Sequence, residues 1–302
     1  MKTNLITAAS PHRLLRFILV PALLLAGFWL RSLPAMKAGS GVSGWWPWTG
    51  SRQVTVYFFD GPFLFPLTRR IAVQSDVPRA VLQALLAGPS AVSGLRSPFP
   101  HGTELRSFKL ANGLAQIDLS VADLGERGLT HEAEEVIVET LTALPGVNSV
   151  ELGVEGKPLT GPAKRTPLLY YASANGIVAL PVTDTTPRAA LDTYLAGPPD
   201  PRLSGLPPDV RLLKYEHDAA AGLVSVDFSY TPSARALALD HPERVRFVLL
   251  GLIASLTEFA GVQAVRIDFE GRTRLGLGQC SDLLRVPQPR PELLNDERLL
   301  GR

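Results

Sequence analysis

The sequence predicts an α+β protein of two tandem ββαββαβ domains, each with two helices packed on a mixed sheet, after an N-terminal membrane helix. Three observations predict it. They are an uncharged run near the N-terminus, an internal duplication that holds register through several elements, and the succession of alternating and helically spaced apolar residues inside each copy.

Lys2, Arg13 and Arg16 precede FILVPALLLAGFWL, an uncharged run from Phe17 to Leu30, and Arg31 and Lys37 follow it. Fourteen helical residues reach only about 21 Å, short of a hydrocarbon core of ~30 Å, which fits a signal-peptide core. Counting Leu14 to Leu33, with both arginines snorkelling, restores an adequate span. A cleaved peptide calls for small residues soon after the run. Arg31, Leu33, Pro34, Met36 and Lys37 stand there instead, which favours an uncleaved anchor at 14–33 over the cleaved alternative. The basic residues before the run outweigh those just after it, so residues 1–13 are expected as a cytoplasmic tail and the bulk of the chain outside the cytoplasmic membrane. A Gly/Ser linker over 34–53 carries Trp45, Trp46 and Trp48, which suit either the lipid headgroup layer or packing on the first domain.

The duplication organises the rest. LLAGPS at 85–90 returns as YLAGPP at 194–199, Pro78 matches Pro187, and AQIDLS at 115 matches VSVDFS at 224, all displaced by 109 positions. LPGVNSVELGVEGK at 144 matches FAGVQAVRIDFEGR at 259, displaced by 115, so six residues enter the second copy before its last helix. Domains are expected over 54–159 and 160–275, followed by a Pro-rich mobile tail over 276–302.

Each copy opens with a β-rich pair, VTVYFFD and FLFPLTRR or LLYYAS and IVALPVT, turning at Gly61-Pro62 or Asn175-Gly176. Helices follow in VPRAVLQALLAGP and TPRAALDTYLAGP. Both stop at Gly-Pro: Gly88 and Gly197 supply the left-handed closing residue, and Pro89 and Pro198 forbid continuation. A second hairpin turns at Asn112-Gly113 and leads into a strand in which Ala115, Ile117 and Leu119 face away from Gln116, Asp118 and Ser120. Val224, Val226 and Phe228 alternate likewise with Ser225, Asp227 and Ser229. A last helix, then a turn at Gly146 or Gly261, then a strand with Val150, Leu152 and Val154 or Val265, Ile267 and Phe269 on one face, completes the copy. VRFVLLGLIASL is apolar nearly all round and too short to span a bilayer, which predicts a buried helix.

Little in the sequence points to chemistry. With 30 Lys plus Arg against 28 Asp plus Glu, the net charge is +2 and no basic stripe appears, which argues against nucleic acid. The single cysteine, Cys280, excludes an intramolecular disulfide and a Cys-rich metal site. His12, His101, His131, His217 and His241 lack metal-ligand spacing, so neither a metal nor a cofactor is implied. Asp118 and Asp227 invite reading as acid/base carboxylates, yet their equivalence across the copies makes them fold residues first. GRTRLGLGQ lacks the context of a phosphate loop. The chain is therefore read as a non-enzyme whose structural motif residues are Gly88, Pro89, Gly197, Pro198, Asp118, Asp227, Gly146 and Gly261.

The ordered set of a Tyr-bearing β start, LLAGP or YLAGP, IDLS or VDFS, and TALPGVNSVELGVEGK or TEFAGVQAVRIDFEG resembles the GerM-type domain of sporulation and spore germination, over about 54–159 and 167–275. The resemblance implies tandem domains outside the cytoplasmic membrane, with roles in spore formation, germination or envelope assembly. It also implies similarity to ring-building modules and no enzymatic activity. Relatives are often lipoproteins; here no cysteine stands near the N-terminus to carry a lipid. The expected partners are an envelope protein or a second copy of the chain, bound through the tandem domains, with the membrane engaged by the N-terminal helix. The alternative is an envelope hydrolase or a glycan or small-ligand binder, which needs a cleft between the copies with convergent polar groups.

Overall fold

The computed structural model describes residues 50–73, 76–122, 129–159, 161–273 and 280–300. The expected cytoplasmic tail over 1–13, the expected anchor and the three linker tryptophans lie outside these residues, as does most of the glycine-rich stretch near 276. Among the described residues no helix is long and apolar enough to cross a membrane.

The first copy runs β1 (Gly50–Asp60), β2 (Phe63–Val73), α1 (Val77–Leu86), β3 (Thr103–Ala111), β4 (Leu114–Val121), α2 (His131–Thr142), β5 (Ser149–Val154) and the short β6 (Lys157–Pro158). The second runs β7 (Leu168–Ala172), β8 (Ile177–Pro181), α3 (Pro187–Leu195), β9 (Leu212–Asp218), β10 (Leu223–Phe228), α4 (Pro232–Asp240), α5 (Pro242–Leu256) and β11 (Ala264–Phe269). The inserted residues of the second copy fall at α4, a helix the first copy lacks among its described residues. Strand β1 starts at Gly50, so residues 50–53 of the expected linker are strand. Their polar side chains are exposed and hide the alternation, while their backbones pair with Val73 through Arg70.

The helices start and stop for matched local reasons. Asp76 and Thr186 cap α1 and α3 by accepting the Arg79 and Ala189 N–H groups, and Thr130 caps α2 by accepting from Ala133. At the far ends Gly88 and Gly197 take φ of 77° and 96°, and their N–H groups reach back to the Leu85 and Tyr194 carbonyls.

The arrangement of the sheets differs from expectation. Strands β3, β4, β5 and β6 form one mixed sheet, with β4 and β5 parallel, and β9, β10, β11 and a later strand form its counterpart. The opening hairpins join neither. They combine across the copies into one antiparallel sheet of order β1-β2-β8-β7, touching at Leu64 and Ala179. The helices thus lie between two sheets: α2 packs on β1 and on β5, and α5 packs on β7 and on β11. The physical reason is legible in their surfaces. Val136, Ile137, Val138 and Leu141 of α2, and Val248, Leu249, Leu252, Ile253 and Leu256 of α5, are buried all round the helix, which one sheet cannot achieve. Apolar side chains of both copies form a single core, with Tyr57, Tyr170, Tyr171 and Tyr194 among its largest members.

The expected mobile tail is a packed strap over 280–300. Helix α6 (Ser281–Arg285) buries Leu283 and Leu284, β12 (Gln288–Pro289) pairs with β11, and Leu294 is buried. Asn295 is 6% exposed and bridges the two copies. Its amide Nδ2 donates to the Pro66 carbonyl of β2 (2.8 Å) and the Ile177 carbonyl of β8 (2.7 Å), while its Oδ1 accepts from the Ile177 N–H (2.8 Å). Its own carbonyl accepts from Thr68 N–H at 2.7 Å. Asn295 therefore supplies hydrogen bonds that the single β2–β8 contact leaves unmade. Glu297 then pairs with Arg69, whose guanidinium also donates to the Ala84 and Gly88 carbonyls at the end of α1 (2.7 and 2.9 Å). Proline content suggested disorder, but the buried leucines and Asn295 overcome it.

Candidate functional site at the junction of the two copies

Where the copies meet, six polar side chains from six places in the chain converge. Tyr57 comes from β1, Glu139 from α2, Arg165 from the connector, Tyr170 from β7, Glu258 from just beyond α5, and Arg290 from the strap. Tyr170 donates its hydroxyl hydrogen to Glu258 Oε1 at 2.6 Å, and the Tyr57 and Tyr170 hydroxyls stand 3.0 Å apart. Arg165 donates to Glu258 at 2.7 Å and to both tyrosine oxygens at 3.2 and 3.3 Å, and Arg290 donates to Tyr170 at 2.9 Å and to Glu258. The side chains of Glu258 and Glu139 are 2% and 5% exposed.

The electrostatics separate the two carboxylates. Glu258 is satisfied by two guanidiniums and a hydroxyl. Glu139 Oε2 lies 3.0 Å from Arg165 Nε, but neither atom makes a directed hydrogen bond, and its other oxygen takes a long bond (3.4 Å) from the Thr166 N–H. Burial therefore outweighs the neighbouring Arg165 charge and pushes the Glu139 carboxyl up to about 7. Burial also raises both phenols; at Tyr170 the Glu258 carboxylate adds to it.

A matched pair of contacts ties each hairpin to its own copy's buried helix. The Tyr57 N–H donates to Thr140 Oγ1 of α2 (3.1 Å), and the Tyr170 N–H donates to Ser255 Oγ of α5 (2.8 Å). Sequence reasoning missed all of these residues. The available signal was a hydroxyl at Thr140 and Ser255, displaced by the same 115 positions as the neighbouring motif, inside otherwise apolar helical runs.

The eight residues singled out in the sequence do not converge. Pro89 and Pro198 follow the glycines that close α1 and α3. Gly146 and Gly261 have φ of 86° and 89° and occupy the third position of turns closed by Val147 N–H to Leu144 and Val262 N–H to Phe259. Asp118 Oδ1 accepts from the Gly156 N–H (2.9 Å), and Asp227 accepts from the Gly271 N–H (3.0 Å), so the carboxylates hold the turns that follow β5 and β11. Asp227 has a neighbour the first copy lacks: Asp268 on β11, opposite it in register where Gly153 stands in copy one, with its carboxyl raised by burial. The described histidines are exposed. Cys280 is buried, its Sγ 3.5 Å from the Pro242 carbonyl, and burial raises its thiol.

A cavity of about 780 Å³ is open to solvent and runs beside β1 from Ser51 to Thr55, between the end of α2 and the strap at Arg290–Glu292.

Comparison with known proteins identifies the repeat. The family model described as Germane, sporulation and spore germination, matches residues 55–160 and 168–275. Spore germination protein GerM of Bacillus subtilis is 32% identical over 120 residues, covering 36% of this chain and 33% of that protein, so the match spans about a third of that relative's length. The solved tandem GerMN domains of sporulation protein GerM from Bacillus subtilis superpose with a TM-score of 0.60 at 18% identity, covering 82% of this chain and 99% of theirs, which shows a shared fold. With both copies matched in tandem, the chain belongs to the Germane (GerMN) family of sporulation and spore germination proteins.

Proposed function

We propose that the chain is a membrane-anchored, extracytoplasmic, non-catalytic binding and assembly protein of the bacterial cell envelope, acting in sporulation or spore germination. The family membership supports the setting, and the uncharged run within Leu14–Leu33 supports the anchor. One observation carries the binding role. A shared sheet, a buried polar junction and the strap hold two copies of one module in fixed relation, so the outer faces of the two mixed sheets are presented together as a bivalent surface. Those faces carry Gln116, Asp118 and Glu151 in one copy and Ser225, Asp227 and Arg266 in the other. Like modules meeting head to tail can also extend into rings or filaments.

The test is crosslinking of the tagged full chain in its own cells, with identification of the captured proteins. Repeated capture of an envelope protein, or of the chain itself, is the expected result. A strictly monomeric chain without captured partners overturns the proposal.

A further inference from the structure

We propose that the free edge of β1 over Ser51–Thr55 docks an extended, acidic segment of a partner protein, which adds to the shared sheet as a further strand. The inference rests on the binding role above and assigns it a surface.

The backbone geometry comes first. In an antiparallel strand, alternate residues turn both N–H and C=O away from the partner strand. In β1 these are the odd-numbered residues: Phe59 exchanges both bonds with Arg96 on the outer side, and the Tyr57 N–H goes outward to Thr140. Ser51, Gln53 and Thr55 therefore aim their backbone groups into the cavity beside β1, and among the described residues no strand pairs with them there.

The other edge strands of five residues or more are guarded. Strands β3 and β9 both break register beside Asp118 and Asp227, with Arg106 and Leu213 bulged at equivalent places, and both carry several charged residues. The far edge of the shared sheet is closed where Ala172 of β7 exchanges both bonds with Ser204. Strand β1 has none of these devices over 51–55. Its register is unbroken, and it holds no proline or lysine there.

Charge selects the occupant. Arg52 on the strand and Arg70 opposite Gln53 line the cavity; Arg70 also acts on Asp296 of the strap, helping to lower that carboxyl, whose direct partner is Arg298. Arg290 also lines it but is committed to Glu258, and among the described residues of the lining the only acid is Glu292. Leu144 and Pro145 form an apolar wall. Paired residues share a face, so Arg70 stands on the Gln53 face and Arg52 on the opposite one. An extended chain with carboxylates at successive positions offers one to each arginine while its main chain completes the ladder.

The test uses the full-length chain in detergent micelles and a fluorescein-labelled peptide of about nine residues in which pairs of adjacent glutamates are separated by threonine, so that each face carries carboxylates, read by anisotropy. A lysine counterpart binds about tenfold or more weaker, and so does the glutamate peptide with alternate amides N-methylated. Gln53→Pro removes one outward N–H without touching the β1–β2 ladder, because proline is tolerated where the N–H faces outward. It weakens the glutamate peptide by about tenfold with an unchanged thermal melt, and Arg52→Glu with Arg70→Glu reverses the charge preference. Equal binding of the two charged peptides, or indifference to Gln53→Pro, overturns the proposal. A concentration-dependent dimer that Gln53→Pro abolishes also overturns it, giving the edge to a second copy. In-cell crosslinks that persist unchanged in Gln53→Pro refute the edge while leaving the assembly role standing.

Discussion

Replacing Glu139 with glutamine isolates the least comfortable group in the junction. In the folded chain this carboxyl is raised to about 7, against an ordinary value of 4.5 once unfolded. The native state then holds more protons than the unfolded state between those values, so this group makes stability fall as pH rises through that window. The loss is nearly complete above the folded value. At 1.36 kcal/mol per unit, and with the side chain only 5% exposed, the group costs about 2–3 kcal/mol more at pH 8 than at pH 5. Glutamine keeps the shape and can still accept from the Thr166 N–H, while Arg165 retains Glu258. The variant is therefore expected to gain about 2–3 kcal/mol over the parent on going from pH 5 to pH 8. Urea unfolding followed by far-ultraviolet circular dichroism at the two pH values measures this. Tryptophan emission is unsuitable, since all four tryptophans, at 29, 45, 46 and 48, precede the described fold. A difference between variant and parent that is the same at both pH values refutes the reasoning.

Asn295→Ala leaves the Pro66 carbonyl and both Ile177 backbone groups without their partner and is expected to cost about 3–5 kcal/mol, with earlier proteolysis of the strap. Denaturant melts and timed protease digestion read both effects; an unchanged melt would show that the strap does not latch the sheet. Gly88→Ala and Gly197→Ala place a side chain at positive φ and should each cost about 1–2 kcal/mol in thermal unfolding. A neutral result at either position means the helix end can relax. Asp118→Ala and Asp227→Ala each remove a turn-holding bond worth about 1–2 kcal/mol, and nearly equal losses are expected if the two carboxylates serve the fold alike. A loss confined to Asp227, beside Asp268, would point to a separate role in the second copy.

Much of the fold was legible because duplication tests each local reading twice. The Gly-Pro stops, the alternation around Asp118 and Asp227, and the turns at Gly146 and Gly261 were readable in both copies, and each follows from a local backbone requirement. The pairing of β2 with β8 was not legible, because it is a contact between copies and the strands touch at one residue pair. The warning lay in VRFVLLGLIASL: a helix apolar on all sides needs cover on both, and the second sheet had to come from somewhere. The junction was least legible of all. Glu139, Arg165, Glu258 and Arg290 lie far apart in sequence, and each reads singly as a surface charge. The strap was misread because proline-rich composition describes backbone preference and says nothing of a single asparagine that can satisfy two strands at once.

That asparagine also orders events in time. Pro66 lies 229 positions before its partner in the strap, so a chain made from its N-terminus builds the first hairpin long before the residue that fastens it exists. Each copy can form its local hairpins and helices early, since those contacts are close in sequence, but loop closure delays the union of the copies. Until the last stretch arrives, the inner edge of β2 stands open to rival strands, and in a crowded compartment that interval is when the protein is most exposed to mispairing. The strap is thus the last fastening to be made: a chain read through to Asn295 gains the bonds that latch β2 to β8, which the shared core and the junction have already brought together.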